Sequence, residues 1–134
     1  MELHILGAHN RESRDNRMVS YLIDDVLALD AGSLTRALTF EQQSRIRALI
    51  LSHRHFDHTR DLLPLGLTFQ HLDATVEIYG IQDTIDFVLF NLLDTSNGPD
   101  FTKVPNPDRP AFRFHSVEFY QPFTVLGYSV KSVP

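Results

Sequence analysis

The sequence predicts a single α/β domain over residues 1–134, with a mixed sheet and helices on the outer face of that sheet. Short β-rich runs alternate along the chain with segments of helical periodicity, which is the pattern of that class. The apolar fraction of 43% and the charged fraction of 22% are those of a globular protein. A chain of 134 residues suffices for one domain of ordinary size but not for two.

The first thirty residues predict three strands and one tight turn. The strands cover 3–7, 18–23 and 26–30, and a polar, Arg-rich loop separates the first strand from the second. Asp24-Asp25 lies between the second and third strands and has the composition of a hairpin turn. A helix is expected over about 34–45, with Ser33 placed to cap its first turn.

The rest of the chain continues the alternation of strands and helices. Arg47 to Leu51 is an apolar run typical of a strand that is buried on both faces. The next helix is expected over about 59–71, where Pro64 falls early enough to be tolerated. The remaining predicted elements are a strand at 76–79, a helix at 82–93, a Pro-rich loop to Pro110, strands around Phe112 to Phe119, and two last strands at 124–126 and 128–133.

Composition excludes several classes of function. The formal charge is -5, which argues against a binder of long nucleic acid and leaves room for a small anionic substrate. No stretch approaches the length of a membrane helix, and the first residues lack the pattern of a signal peptide, so a cytoplasmic protein is expected. Cysteine is absent, so any metal must be bound by His, Asp or Glu.

One cluster of residues has the composition of a metal site. Three of the seven histidines fall within six residues, as His53, His55 and His58, and Asp57 precedes the last of them. The cluster follows the predicted strand that ends at Leu51, and α/β folds collect ligands and catalytic groups at such strand ends. Four potential ligands at this position favour a metal site over a solvated polar loop.

The spacing of the cluster suggests two cations. Side chains two residues apart project to the same side of an extended segment, so His53 and His55 can converge on one cation. Asp57 and His58 lie past a bend and can bind a second cation nearby. Two divalent metals about 3.5–4 Å apart would bind both oxygens of an in-line displacement and lower the pKa of a bridging water. Zinc suits the imidazole-rich set, and the carboxylate leaves manganese and iron open.

The motif His53-x-His55-x-Asp57-His58 resembles that of the metallo-β-lactamase superfamily. The resemblance includes the Leu27-Ala28-Leu29-Asp30-Ala31-Gly32 segment that precedes it, and the opening of the chain is most similar to the phosphodiesterase and ribonuclease Z branch. The motif and the Asp-Ala-Gly element are specific for the superfamily but not for a substrate.

The resemblance implies a role for five residues. His53 and His55 match the ligands of a first metal, and Asp57 and His58 match those of a second. Asp57 also matches a carboxylate that handles the proton of the attacking water. Asp30 matches a buried carboxylate behind the site that orients a ligand, although a simple turn aspartate stays open.

The resemblance also implies a missing part. Members of the superfamily are about twice as long and fold as an αββα sandwich of two similar halves, which supply the remaining metal ligands. We therefore expect this chain to be the N-terminal half of such a sandwich, an incomplete domain with little catalysis of its own. The sheet face meant for the other half would then be exposed, so we expect a homo-oligomer.

These observations predict a metal-dependent hydrolase that cleaves a phosphodiester, such as a cyclic nucleotide or a small RNA-like molecule, by attack of metal-bound hydroxide. A thioester or lactam hydrolase of the same superfamily stays open, as does a truncated, non-catalytic metal-binding or interaction module. The sequence assigns no residue to substrate binding.

Several other residues are given structural roles. Arg54 is expected to point away from the ligands, and Phe56 to pack behind the loop. Arginines 11, 14 and 17 are interpreted as part of a solvated loop of mixed charge rather than as a phosphate site. His9 and Asn10 are candidates for the rim of the site. The phenylalanines assigned to the core are Phe87, Phe90, Phe112, Phe114 and Phe119.

Overall fold

A six-stranded mixed sheet organises the computed structural model, which describes residues 1–134. The strands are β1 (Leu3–Gly7), β2 (Ser20–Ile23), β3 (Leu27–Leu29), β4 (Ala48–Ile50), β5 (Val76–Gly80), β6 (Pro105–Asn106), β7 (Arg109–Pro110), β8 (Phe112–Ser116), β9 (Pro122–Val125) and β10 (Tyr128–Lys131). The main sheet has the order β1-β2-β3-β4-β5-β8. Its first three strands are antiparallel, whereas β3, β4, β5 and β8 run parallel. The carboxyl ends of these parallel strands therefore meet at one edge.

The turn between β2 and β3 forms where the sequence predicts it. Asp24 and Asp25 both have positive φ, at 49° and 62°, and the Val26 amide donates a hydrogen bond to the Ile23 carbonyl at 3.1 Å. This is the arrangement of a type I′ hairpin turn, in which aspartate is tolerated because its short side chain accepts left-handed backbone.

The helices are shorter and more broken than the sequence predicts. They are α1 (Leu34–Ala37), α2 (Phe40–Gln43), α3 (Phe56–Thr59), α4 (Leu62–Leu72), α5 (Gln82–Phe87) and a π-helix (Val88–Leu92). The helix expected over 34–45 is divided because Leu38 is extended and Thr39 starts a new helix with a capping box to Gln42. The helix expected over 59–71 begins earlier, as α3, and Pro64 lies in the first turn of α4.

Ser33 does not cap α1 as predicted. It occupies the position before the helix, but its side chain makes no capping hydrogen bond. The hydroxyl oxygen instead accepts a hydrogen bond from the Met18 amide at 3.0 Å, and the Ser33 amide donates to the Ser20 hydroxyl at 3.1 Å. The residue is fully buried, so its polar groups serve to join two segments rather than to start a helix.

The helices cover one face of the sheet, and a β-hairpin covers part of the other. The main core lies on the helix side and contains Leu22, Ala28, Leu49, Ile78 and Phe112 from the strands. A smaller cluster on the opposite face joins Leu27 and Ala48 to Val125 of the β9–β10 hairpin. The prediction that helices cover the outer face of a mixed sheet is thus confirmed. No helix is long and apolar enough to cross a membrane.

The prediction that five phenylalanines belong to the core is wrong for three of them. Phe112 is buried and Phe114 packs against the core, but Phe87, Phe90 and Phe119 are 40%, 82% and 39% exposed. In the α5 segment Ile85 and Val88 face the core, so Phe87 and Phe90 must lie on the outer side.

Candidate metal-binding site

The predicted cluster lies at the carboxyl ends of two parallel strands. Asp30 directly follows β3, and Ser52 and His53 follow β4, with which β3 pairs in register. His55 occupies the position before α3, and Asp57 and His58 lie within that short helix. The edge of the sheet where these strands end therefore gathers all five residues that the resemblance singles out.

Asp30 is the buried anchor of this group. It is 4% exposed, and its two carboxylate oxygens have three hydrogen-bond partners. Oδ1 accepts from the Ser52 amide at 2.8 Å, while Oδ2 lies 2.7 Å from both the Ser52 hydroxyl and His58 Nδ1. A carboxylate at this depth needs such partners, because burial without them costs several kcal/mol.

The backbone of Asp30 is held in a conformation that directs its side chain into the site. Its φ is 58°, in the left-handed region that few residues other than Gly, Asn and Asp adopt. The Asp30 amide donates to the Ile50 carbonyl at 2.9 Å, so β3 and β4 remain paired up to this residue. The pairing of the two strands therefore fixes where the carboxylate lies.

His53 and His55 place two ring nitrogens side by side. His53 Nε2 lies 3.1 Å from His55 Nδ1, and the two rings meet edge to face with centroids 4.6 Å apart. His53 is half-buried, whereas His55 is exposed. The pair therefore has one ring set within the site and one at its mouth.

His58 and Asp57 form a second pair. His58 Nε2 lies 3.3 Å from Asp57 Oδ2, and the two side chains are 16% and 20% exposed. The ring of His58 lies 4.0 Å from that of His53, measured between centroids, so the two pairs are adjacent. The structure thus brings together the four residues that the sequence identifies as metal ligands.

The hydrogen-bond partners of His53 and His58 place a proton on Nδ1 of each imidazole ring. Because the Asp30 carboxylate can only accept, both the Ser52 hydroxyl and His58 Nδ1 donate to it. The Ser52 oxygen is then free to accept from His53 Nδ1, which lies 3.1 Å away. This leaves His53 Nε2 without a proton, which is the tautomer that a metal ligand requires.

The environment also keeps His53 neutral. Burial lowers the pKa of His53 below its ordinary value, and the nearby His58 and His55 rings lower it further, while Asp30 and Asp57 oppose the shift. A neutral imidazole is the form that binds a metal.

Gly32 permits a close approach that positions α3. A Cβ at Gly32 would lie 1.8 Å from the Asp57 carbonyl oxygen, so no other residue fits without moving the chain. That carbonyl accepts from the Val19 amide at 3.1 Å, and the His58 carbonyl accepts from the Ala31 amide at 2.7 Å. The segment after β3 is therefore docked on α3 through backbone hydrogen bonds.

Sequence reasoning gave no role to Ser52 and no physical reason for Gly32. Ser52 precedes the motif by one residue, but a serine after a strand has no distinctive signal. The sequence indicates Gly32 only as part of the Asp-Ala-Gly element. Its function follows from a close contact between segments that are 25 residues apart, which the sequence does not display.

The donor atoms fit two divalent cations as pairs rather than as complete sites. Two nitrogens bound to one tetrahedral zinc at 2.0–2.1 Å would be about 3.3 Å apart. The His53–His55 separation of 3.1 Å and the His58–Asp57 separation of 3.3 Å are close to that value. No group of three or more such side chains has the arrangement to hold a metal ion. Each pair would supply two of the four ligands that a tetrahedral zinc ion takes up.

The Arg-rich loop lies apart from these hydrogen bonds. Glu12 pairs with Arg60 at 2.7 Å, and this contact lowers the pKa of the Glu12 carboxyl. His9 and Arg11 line a polar cavity of about 400 Å³ within the loop. No hydrogen bond or ion pair joins His9 or Asn10 to the motif side chains, so their role at the rim remains a prediction.

The chain thus combines a mixed sheet, covered by helices on one face, with a His/Asp cluster at the ends of two of its strands. No known family profile and no curated protein sequence matches the chain. Among solved structures it is similar to YhfI of Bacillus subtilis, described as a metallo-β-lactamase fold protein, with 24% identity and a TM-score of 0.67 over 92% of this chain and 48% of that one. It is also similar to unliganded yeast PDE1, with 12% identity and a TM-score of 0.71 over 92% of this chain and 52% of that one.

The chain therefore has the metallo-β-lactamase fold, and the predicted resemblance is confirmed at the level of fold. It spans about half the length of the structures that it matches. The prediction of a partial domain is in accord with that coverage.

Replacing Asp30 tests whether it organises the site. In Asp30→Asn an amide group would face the Ser52 hydroxyl and His58 Nδ1, so we expect a loss of about 1–3 kcal/mol in the free energy of unfolding. Urea denaturation measures the loss, and ¹⁵N spectra of the His58 ring should show a changed tautomer. Asp15→Asn, in the exposed loop, is the matched control. Equal stability of the two variants would contradict the anchoring role.

The lowered pKa of His53 predicts a pH dependence in the metal-free chain. The unfolded chain takes up a proton at His53 near pH 6.5, whereas the folded chain resists it until a lower pH, so stability from this residue is lost as the pH falls through that range. The difference in unfolding free energy between the native chain and His53→Gln should therefore shrink from about pH 7.5 to about pH 5.5. Urea denaturation with a chelator present measures it, and a difference that stays constant or grows would refute the shift.

Proposed function

We propose that this chain carries the metal-binding half of a metal-dependent hydrolase whose substrate is a phosphodiester. The observation that supports it most is the paired arrangement of donors at one sheet edge, in which two imidazole nitrogens and then an imidazole and a carboxylate have the spacing of metal ligands. The fold shared with YhfI and yeast PDE1 is in keeping with this proposal.

In the proposed site His53 and His55 would hold one cation, and Asp57 and His58 a second. Zinc suits three imidazoles and one carboxylate, with manganese and iron as alternatives. Two such ions would lower the pKa of a water molecule and stabilise the negative charge that develops on the substrate. Asp30 and Ser52 would orient the ligands, because they hold the Nδ1 protons of His58 and His53.

Asp57 is proposed to have a second role as proton acceptor. Its side chain is 20% exposed, so it lies within the site but still reaches solvent. The side chain of Asp30 is 6% exposed and already has three hydrogen-bond partners, so it cannot exchange a proton with the substrate as readily. A carboxylate beside the attacking water can accept its proton as a general base.

The phosphodiester is chosen over other substrates on two grounds. The opening of the chain is most similar to the phosphodiesterase and ribonuclease Z branch of the superfamily, and yeast PDE1 is one of the structures that the chain resembles. The net charge of -5 favours a small anionic substrate held by local groups over a long nucleic acid. A thioester or lactam would use the same ligands and is the second candidate substrate class.

Metal binding is tested by titrating the chain with Zn²⁺ against a chromophoric chelator. We expect binding that is weak, because each pair supplies only two ligands, and that falls at least about tenfold in His55→Ala, since even loss of a residue that orients a metal ligand costs about 10–100-fold in affinity. His71→Ala, at the exposed end of α4, is the matched control. Unchanged affinity in His55→Ala would contradict the ligand assignment.

Activity is tested on the full-length protein loaded with Zn²⁺ or Mn²⁺. The substrates are bis(p-nitrophenyl) phosphate, a 3′,5′-cyclic nucleotide, a thioester and a β-lactam. We expect phosphodiester turnover that is lost in Asp57→Asn. Turnover of only the thioester or the lactam would reassign the substrate, and metal binding without turnover of any of them would support the non-catalytic module instead.

A further inference from the structure

A cleft of about 310 Å³ opens beside His55, on the side of α3 that faces the α5 segment. The residues that line it include Arg54, His55, Phe56, Phe87 and Asn91. None of the site residues described above except His55 takes part in it. The cleft is therefore continuous with the proposed metal site but makes use of different side chains.

Two phenylalanine rings line this cleft and are left in contact with solvent. Phe56 is 60% exposed and Phe87 is 40% exposed, so the prediction that Phe56 packs behind its loop is wrong. Phe56 is the first residue of α3, and its ring is turned toward solvent. Adjacent exposed aromatic rings beside a polar site are a feature of ligand-binding surfaces.

Arg54 places a positive charge over one of these rings. Its guanidinium carbon lies 5.1 Å from the centroid of the Phe87 ring, a cation–π distance. Arg54 forms no ion pair, unlike Arg60, whose charge is neutralised by Glu12 and Asp61. In a chain with a net charge of -5, an unpaired guanidinium beside an aromatic ring is available to an anionic, aromatic ligand.

A local irregularity in the next helix contributes a hydrogen-bonding group to the same cleft. The α5 segment continues as the π-helix Val88–Leu92, a rare conformation that is frequent at functional sites. Asn91 lies in it and donates from Nδ2 to the Phe87 carbonyl at 2.9 Å. Its Oδ1 has no hydrogen-bond partner in the chain and so is left to accept one from a ligand.

We propose that this cleft binds the nucleobase of a nucleotide substrate, with the base stacked on Phe56 and Phe87 and its phosphate on the His55 side. This proposal rests on the proposed function, since it names the nucleoside part of the phosphodiester. Stacking on aromatic rings accepts any base, and the Asn91 oxygen can accept a hydrogen bond from an exocyclic amino group. Arg54 supplies charge complementary to the phosphate. A volume of about 310 Å³ is at the small end of ligand pockets and suits one base rather than an oligonucleotide.

Adenosine binding to the metal-free chain tests this without any catalytic step. Saturation-transfer NMR and chemical-shift titration in the presence of a chelator give its Kd, with ribose 5-phosphate as the ligand that lacks a base. Each of Phe56→Ala and Phe87→Ala should weaken adenosine binding at least about fivefold, because stacking contributes about that much or more per base. Phe90→Ala is the matched control, since Phe90 is 82% exposed in the same segment but does not line the cleft.

Phe56→Leu separates stacking from simple apolar contact, because it keeps the bulk of the side chain and removes the ring. It should weaken adenosine binding while the backbone spectrum stays native. The proposal would be overturned by absence of adenosine binding, by equal effects of Phe90→Ala and Phe56→Ala, or by full binding in Phe56→Leu. Because adenosine has no phosphodiester and the metals are removed, a failure here leaves the hydrolase proposal standing, and a failure of turnover leaves this cleft standing.

Discussion

The arrangement of the site depends on one buried carboxylate. Asp30 is 4% exposed at the end of β3, and each of its hydrogen-bond partners belongs to a segment that follows β4. Removing such a group from water is unfavourable unless it accepts hydrogen bonds within the protein, and here Ser52 and His58 donate three. The need to satisfy this charge therefore couples the end of the sheet to the start of the helix layer.

The same coupling decides which way the imidazoles present their nitrogens. A histidine in solution exchanges its proton between Nδ1 and Nε2, and only the nitrogen without a proton can bind a metal. Asp30 holds the proton of His58 on Nδ1, and Ser52 does the same for His53 through its own hydrogen bond to Asp30. Both Nδ1 protons are thereby held in place before any ion arrives, which reduces the entropy that metal binding would have to overcome.

Much of this fold can be predicted from the sequence because its signals are local. The Asp24-Asp25 turn is predicted by the two residues that form it. The apolar run before the motif predicts a strand, and His53 follows that strand closely in the sequence. The division between α1 and α2 has a different cause. Thr39 and Gln42 form a capping box that starts a new helix, so a continuous helix over 34–45 does not form. The outward positions of Phe56 and Phe87 depend on which faces of α3 and α5 pack against the core. Those are tertiary effects, and hydrophobicity alone assigns the rings to the interior.

The motif could be located from the sequence, but its pairing has a physical basis that only the structure displays. Residue spacing predicts the pairs His53–His55 and Asp57–His58, and the observed distances join the same residues. The second pair is held by the docking of α3 against the Gly32 segment, where the Asp57 carbonyl occupies the space that a side chain at Gly32 would need. A substitution at Gly32 would therefore displace α3, the helix that carries two of the four donors. Asp30 joins the two pairs through its hydrogen bonds to Ser52 and His58, and each pair would present two of the four donors that a tetrahedral ion takes up. Whatever completes the shells, water, substrate or other protein groups, must come from outside these four side chains.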